Sequence, residues 1–207
     1  MNIGKNHFII LAAFSCLWTL STNSQAQDAQ RIGVKAGLTA ANLTNQNDFS
    51  LKPGLQAGAY AVFGGGEALF FKGELLLSQK GAWTWGNEGL GNFSLYYIDL
   101  PLMFGIDVLQ GLTLNLGIQP SMLVGGTLRQ NTSEGTNWRN ISNDVSRMDF
   151  STLFGAEYII KKDWFLGFRF NYSFVPIQNH QGDLTVENQE QLMSSRVYQF
   201  YVGHRLK

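Results

Sequence analysis

Between residues 112 and 124 the apolar side chains fall on every second position. Leu112, Leu114, Leu116, Ile118, Pro120, Met122 and Val124 share one side, and Thr113, Asn115, Gly117, Gln119 and Ser121 share the other. Side chains of an extended chain alternate between faces, so this is a β-strand with one apolar and one polar face. Seven further segments repeat the pattern, with apolar faces of Ile32, Val34, Ala36, Leu38 and Ala40; Leu55, Ala57, Ala59, Ala61 and Phe63; and Leu69, Phe71, Gly73, Leu75 and Leu77. The later ones are Ile98, Leu100, Leu102, Phe104 and Ile106; Phe150, Thr152, Phe154, Ala156 and Tyr158; Leu166, Phe168, Phe170, Tyr172 and Phe174; and Tyr198, Phe200 and Val202. None of these positions is charged. The opposite faces carry Lys35, Lys72, Arg169 and Arg205 against Glu74, Asp99, Asp149 and Glu157, so the two signs balance.

Alternation fits two kinds of closed sheet. A lipocalin-like barrel turns its apolar face inward around a ligand, whereas a membrane barrel turns it out toward lipid. Three observations favour the second. The polar faces are rich in Gly, Ser, Thr and Asn with balanced charge, which suits a packed lumen better than a soluble exterior. A strand of about 10 residues, rising about 3.3 Å each and tilted about 40°, spans about 25 Å, the height of an outer-membrane apolar band. The connections also alternate in length. Gly64 to Glu67, Asp107 to Gln110 and Lys161 to Asp163 are tight turns, while 43–52, 81–92, 127–146 and 176–194 are long loops. Short turns at the end shared with both termini and long loops at the other are the habit of outer-membrane barrels. The expectation is an all-β, eight-stranded, antiparallel up-and-down transmembrane barrel, with both termini periplasmic.

The chain starts with a short charged stretch at Lys5, an apolar run from Phe8 to Leu20 and small residues around Ser24-Gln25-Ala26. This is the layout of a secretory signal peptide. Its apolar run is shorter than the roughly 20 residues a spanning helix needs. Residues 1–26 are therefore expected to be a signal peptide and 27–207 the barrel. Cys16, the only cysteine, falls within that leader, which excludes disulfides from the mature chain. Charged residues make up 14% of the sequence and its formal net charge is zero, so no basic field for nucleic acid exists.

Particular motifs resemble a known family. Gly33-Val34-Lys35-Ala36-Gly37-Leu38, Glu74-Leu75-Leu76-Leu77-Ser78-Gln79-Lys80-Gly81 and Tyr97-Ile98-Asp99-Leu100-Pro101-Leu102 are similar to the PorT-type outer-membrane β-barrels of Bacteroidetes, as is the ending from Arg196 to Leu206. That family usually ends on an aromatic residue, where this chain has Leu206 followed by Lys207. The resemblance implies an outer-membrane barrel; the namesake is linked to protein secretion across the outer membrane, a role that fold alone does not transfer. Expected partners are outer-membrane lipid, the barrel-assembly machinery during insertion, and an envelope or secretion protein not identified by the sequence.

Candidate chemistry centres on the eight inward charges: Lys35, Lys72, Glu74, Asp99, Asp149, Glu157, Arg169 and Arg205. A turn at 161–163 that pairs 160 with 164 places Glu157 opposite Gly167 and diagonally from Arg169. Glu74 and Asp99 are candidates to face each other, and buried carboxylates need cations such as Lys72 and Arg169. Eight strands leave an interior only wide enough for side chains, so a structural network is expected in preference to an ion path. No catalytic, metal or cofactor residues are assigned, and the chain is read as a non-enzyme. Two rival readings are a lipid-modifying enzyme built on His180 with Ser173 or Ser194, and a soluble lipocalin-like binder. The loop Gly126 to Ser146, with Arg129, Trp138 and Arg139, is a candidate partner surface. Aromatic residues are expected at the two membrane interfaces: Trp83, Trp85, Tyr96, Tyr172 and Phe174 at the loop end, Tyr158 and Trp164 at the turn end.

Overall fold

A computed structural model describes residues 31–43, 49–64, 69–86, 89–132, 135–142, 145–174 and 195–206. The expected signal peptide, His7, Cys16, His180 and Ser194 lie outside them. Ten strands form one antiparallel sheet: β1 (Arg31–Leu43), β2 (Phe49–Phe63), β3 (Leu69–Gly86), β4 (Gly89–Asp99), β5 (Leu102–Leu109), β6 (Leu112–Thr132), β7 (Gly135–Asn140), β8 (Met148–Lys161), β9 (Trp164–Ser173) and β10 (Ser195–Arg205). β1 pairs with both β2 and β10, which closes the sheet on itself. β4 and β5 are two halves of one barrel strand, and β7 pairs only with β6. The result is a closed barrel of eight antiparallel strands.

The apolar face points outward. Leu116 is 63% exposed, Phe104 62% and Phe200 57%, while their neighbours Asn115, Met103 and Tyr201 are buried. This sense is the opposite of a lipocalin's, and it overturns the soluble-binder reading, because soluble monomers rarely expose a continuous apolar belt of this kind to water. Aromatic pairs across strands line the belt, with Phe168 and Phe200 at 4.9 Å and Phe170 and Tyr198 at 5.1 Å between ring centroids. Tyr96 and Phe174 are exposed at the loop end, and Tyr158 and Trp164 at the turn end. The side chains of Trp83 and Trp85 are outside the described residues.

Three local expectations need correction. The segment 98–106 is not one strand, because Pro101 has no N–H to donate to the ladder; the break is bridged by Glu74 N–H to the Pro101 carbonyl and Leu100 N–H to the Pro120 carbonyl. The stretches 81–92 and 127–146 are mostly strand rather than loop. β3 pairs with β4 as far as Gly86 and Gly89, and β6 turns back through β7 from Thr132 and Gly135. Above the apolar band a ladder needs no greasy face, so its polar sequence masked it. The turn read at 107–110 sits at Gln110-Gly111, where Gly111 adopts a φ of 84° that glycine accommodates without strain.

Candidate functional site: the filled lumen

Inward side chains stack in layers along the barrel axis. Nearest the tight turns lies an aromatic layer of Tyr60, Val62, Phe70, Phe165 and Tyr201. Tyr60 meets Phe165 edge-on at 5.5 Å.

Above it sits a charged layer. Arg169 holds Glu74 through two parallel bonds, its Nη1 and Nη2 each donating over 2.9 Å. This fork-on-fork geometry is the strongest a carboxylate makes with a side chain. Lys35 Nζ lies 2.7 Å from the same carboxylate and Lys72 Nζ lies 3.4 Å from it. Lys72 also donates to Glu157 Oε1 at 2.6 Å, and the Tyr201 hydroxyl donates to that oxygen at 2.8 Å. Lys35 meets Glu74 by proximity without hydrogen-bond alignment, and its ammonium rests 3.8 Å from the Tyr201 ring centroid. Arg169 is 0% exposed and Lys72 1%. Three almost wholly buried cations thus face two carboxylates.

An amide layer follows. Asn171 donates to Gln119 at 2.7 Å, with Gln56, Asn115 and Gln199 buried around them. Next comes a second ion pair, Lys80 to Asp99 at 2.9 Å, to which Ser78 adds a hydroxyl donor at 2.6 Å. Ser173 donates to Asp149 nearby. Nearest the loops, Leu95, Tyr97, Leu128, Ile141 and Val145 form an apolar cap.

Glycines make this filling possible. Tyr201 stands between Gly37 and Gly167 in register, Lys35 between Gly58 and Gly203, and Arg169 beside Gly155. A Cβ on Gly203 would come within 2.0 Å of Phe165 Cζ, and one on Gly167 within 2.2 Å of Tyr201 Cε2. Large and small side chains alternate around the barrel so that the large ones have somewhere to lie.

Six of the eight candidate charges are buried: Lys35, Lys72, Glu74, Asp99, Glu157 and Arg169. Asp149 and Arg205 are half-buried nearer the two rims. Glu157 does stand opposite Gly167, but Arg169 spends its fork on Glu74. Glu74 and Asp99 do not face each other. Asp99 is opposite Leu76, two residues along, and belongs to the separate pair with Lys80. The long hairpin between the strands hid that register. Lys80 and Tyr201 were not singled out from the sequence, although Lys80 keeps the even-numbered parity of Lys72, Glu74 and Ser78, and Tyr201 falls on the inward parity of β10.

An apolar exterior, a polar filled lumen and eight strands are the build of small outer-membrane barrels. Residues 24–179 match the outer membrane protein beta-barrel domain family. The chain belongs to that family. It is an outer-membrane β-barrel protein, and solved members of that class share its fold. The attachment invasion locus protein Ail of Yersinia pestis superposes with a TM-score of 0.50 at 8% identity, covering 86% of this chain and 99% of Ail. Neisserial surface protein A gives 0.50 at 15% identity, covering 84% and 97%. Ail in complex with the heparin analogue sucrose octasulfate gives 0.51 at 9%. Identities this low speak for the fold alone. No curated protein sequence matches the chain.

Proposed function

We propose that this outer-membrane barrel is a non-enzymatic envelope protein, anchored by its apolar belt and acting through its loop end. Both termini face the periplasm in this reading. The observation that supports it is the filling of the lumen: Arg169, Lys72, Glu74, Gln119 and Gln199 are all buried, paired or wedged across the bore, leaving side chains where a wide pore would have water. Ser173, one member of the rival hydrolase arrangement, is buried and donates to Asp149, a poor position for attack on a lipid. Two of the structural neighbours, an attachment invasion locus protein and a neisserial surface protein, are named in keeping with a surface role. Following the sequence resemblance to PorT-type barrels of Bacteroidetes, the finer reading is an accessory of protein secretion, working with an envelope partner.

Crosslinking of intact cells followed by detergent extraction tests this reading. Co-purification of secretion or envelope proteins supports it. Single-channel recordings with large stable conductance, or lipid turnover by the purified barrel that His180→Ala abolishes, would refute it.

A further inference from the structure

At the turn end the lumen opens into a cavity of about 210 Å³. Its walls include Tyr60, Phe70 and Phe165, and Arg31 and Arg205 line it with Lys72 and Glu157. The charges differ in how far they are committed. Lys72 is held by Glu74 and Glu157, and Glu157 is further held by Tyr201. Asp107, also on the wall, accepts the Thr113 hydroxyl at 2.6 Å. Arg31 and Arg205 form no ion pair among the described residues. The Arg31 guanidinium lies 5.8 Å from the Phe70 ring centroid, and its Nε is buried with no hydrogen-bond partner.

Both arginines fall on the inward parity of their strands, since Gly33 pairs with Arg205 and β1 alternates inward through Gly33 and Lys35. Lys35, Lys72, Lys80 and Arg169 each have a carboxylate within 3.4 Å. Arg31 and Arg205 have none among the described residues and line a cavity with an aromatic wall, a site for an anion with an apolar body. Guanidinium forks match carboxylates in shape, and aromatic walls take the rest of such a molecule. We propose that the turn-end cavity binds a carboxylate attached to a compact apolar group, held by Arg31 and Arg205 against Tyr60, Phe70 and Phe165. Such a carboxylate comes either from a free organic acid or from the C-terminus of a peptide. The proposal is independent of the loop-end role above.

The test uses the full barrel refolded in a non-ionic detergent, with folding checked by heat-modifiable gel migration. Phenylacetate, phenylacetamide, the dipeptide Ala-Phe and its C-terminal amide are titrated by calorimetry and by ligand-observed NMR. At least one free acid should bind while its amide does not; which acid it is tells the two sources apart. Arg205→Gln and Arg31→Gln should each weaken that binding about ten- to a hundredfold, the loss of one charge-assisted hydrogen bond, while Lys161→Gln on the exposed turn should leave it unchanged. Failure of both acids to bind, equal binding of acid and amide, or full binding by the folded arginine variants would overturn the proposal.

Discussion

Glu74→Gln is the most informative single change, because the charged layer is unevenly balanced. Lys35, Lys72 and Arg169 carry three positive charges against Glu74 and Glu157. Glu74 touches all three cations, and its side chain and those of Lys35 and Arg169 have no exposed surface. Replacing it with an amide leaves three buried cations sharing one carboxylate. Removing one partner from a buried pair costs about 3 to 5 kcal/mol, or roughly two to three and a half orders of magnitude in the folding equilibrium. Lys35→Met acts in the other direction on charge, leaving two cations against two carboxylates. It loses the contact with the Tyr201 ring, worth about 2 kcal/mol when desolvated, but sheds the desolvation of the least well-aligned cation. Its net cost should therefore stay below about 2 kcal/mol. The double variant restores the native excess of one positive charge and should recover at least about 1 kcal/mol relative to Glu74→Gln, a coupling expected of residues in direct contact. Urea unfolding of the barrel refolded into lipid vesicles, followed by tryptophan fluorescence and gel migration, measures all three. Equal destabilisation by Glu74→Gln and Lys35→Met, or strict additivity in the double variant, would refute the account of a layer whose charges are coupled through Glu74.

The same assay checks three other expectations. Leu116→Arg puts a charge in the middle of the lipid-facing part of β6 and should cost about 2 to 4 kcal/mol, whereas Leu116→Val should change little. Gly203→Ala drives a methyl into the Phe165 ring and should cost about 1 to 3 kcal/mol by overpacking; Gly73→Ala, whose new Cβ would meet only Leu102 Cδ2 at 3.8 Å, should be nearly silent. Tyr201→Phe removes the hydroxyl that donates to Glu157 and should cost about 1.5 to 3 kcal/mol, the range for a hydrogen bond to a charged group. Equal stabilities for the two glycine variants would contradict the close packing of the lumen at Gly203.

The alternation of Leu112 to Val124 and its seven counterparts determined, from sequence alone, that this chain forms an eight-stranded barrel with its charges on one face. A strand's side-chain period is fixed by backbone geometry, so the faces are legible wherever one of them must be apolar. Glu157 stands opposite Gly167 as the sequence predicts, but through a register shift between Ile159 and Lys161, since the turn pairs Lys161 with Trp164 rather than 160 with 164. Other features escaped because they depend on which strands meet. The polar hairpins of β3 with β4 and β6 with β7 lie beyond the apolar band, where pattern carries no signal. Only closure of the sheet brings Glu74 of β3 to Arg169 of β9, and Lys80 to Asp99 in place of the facing carboxylates. Partners inside a barrel are chosen by register summed around the ring and by which glycines leave room. Neither quantity is local to any stretch of sequence.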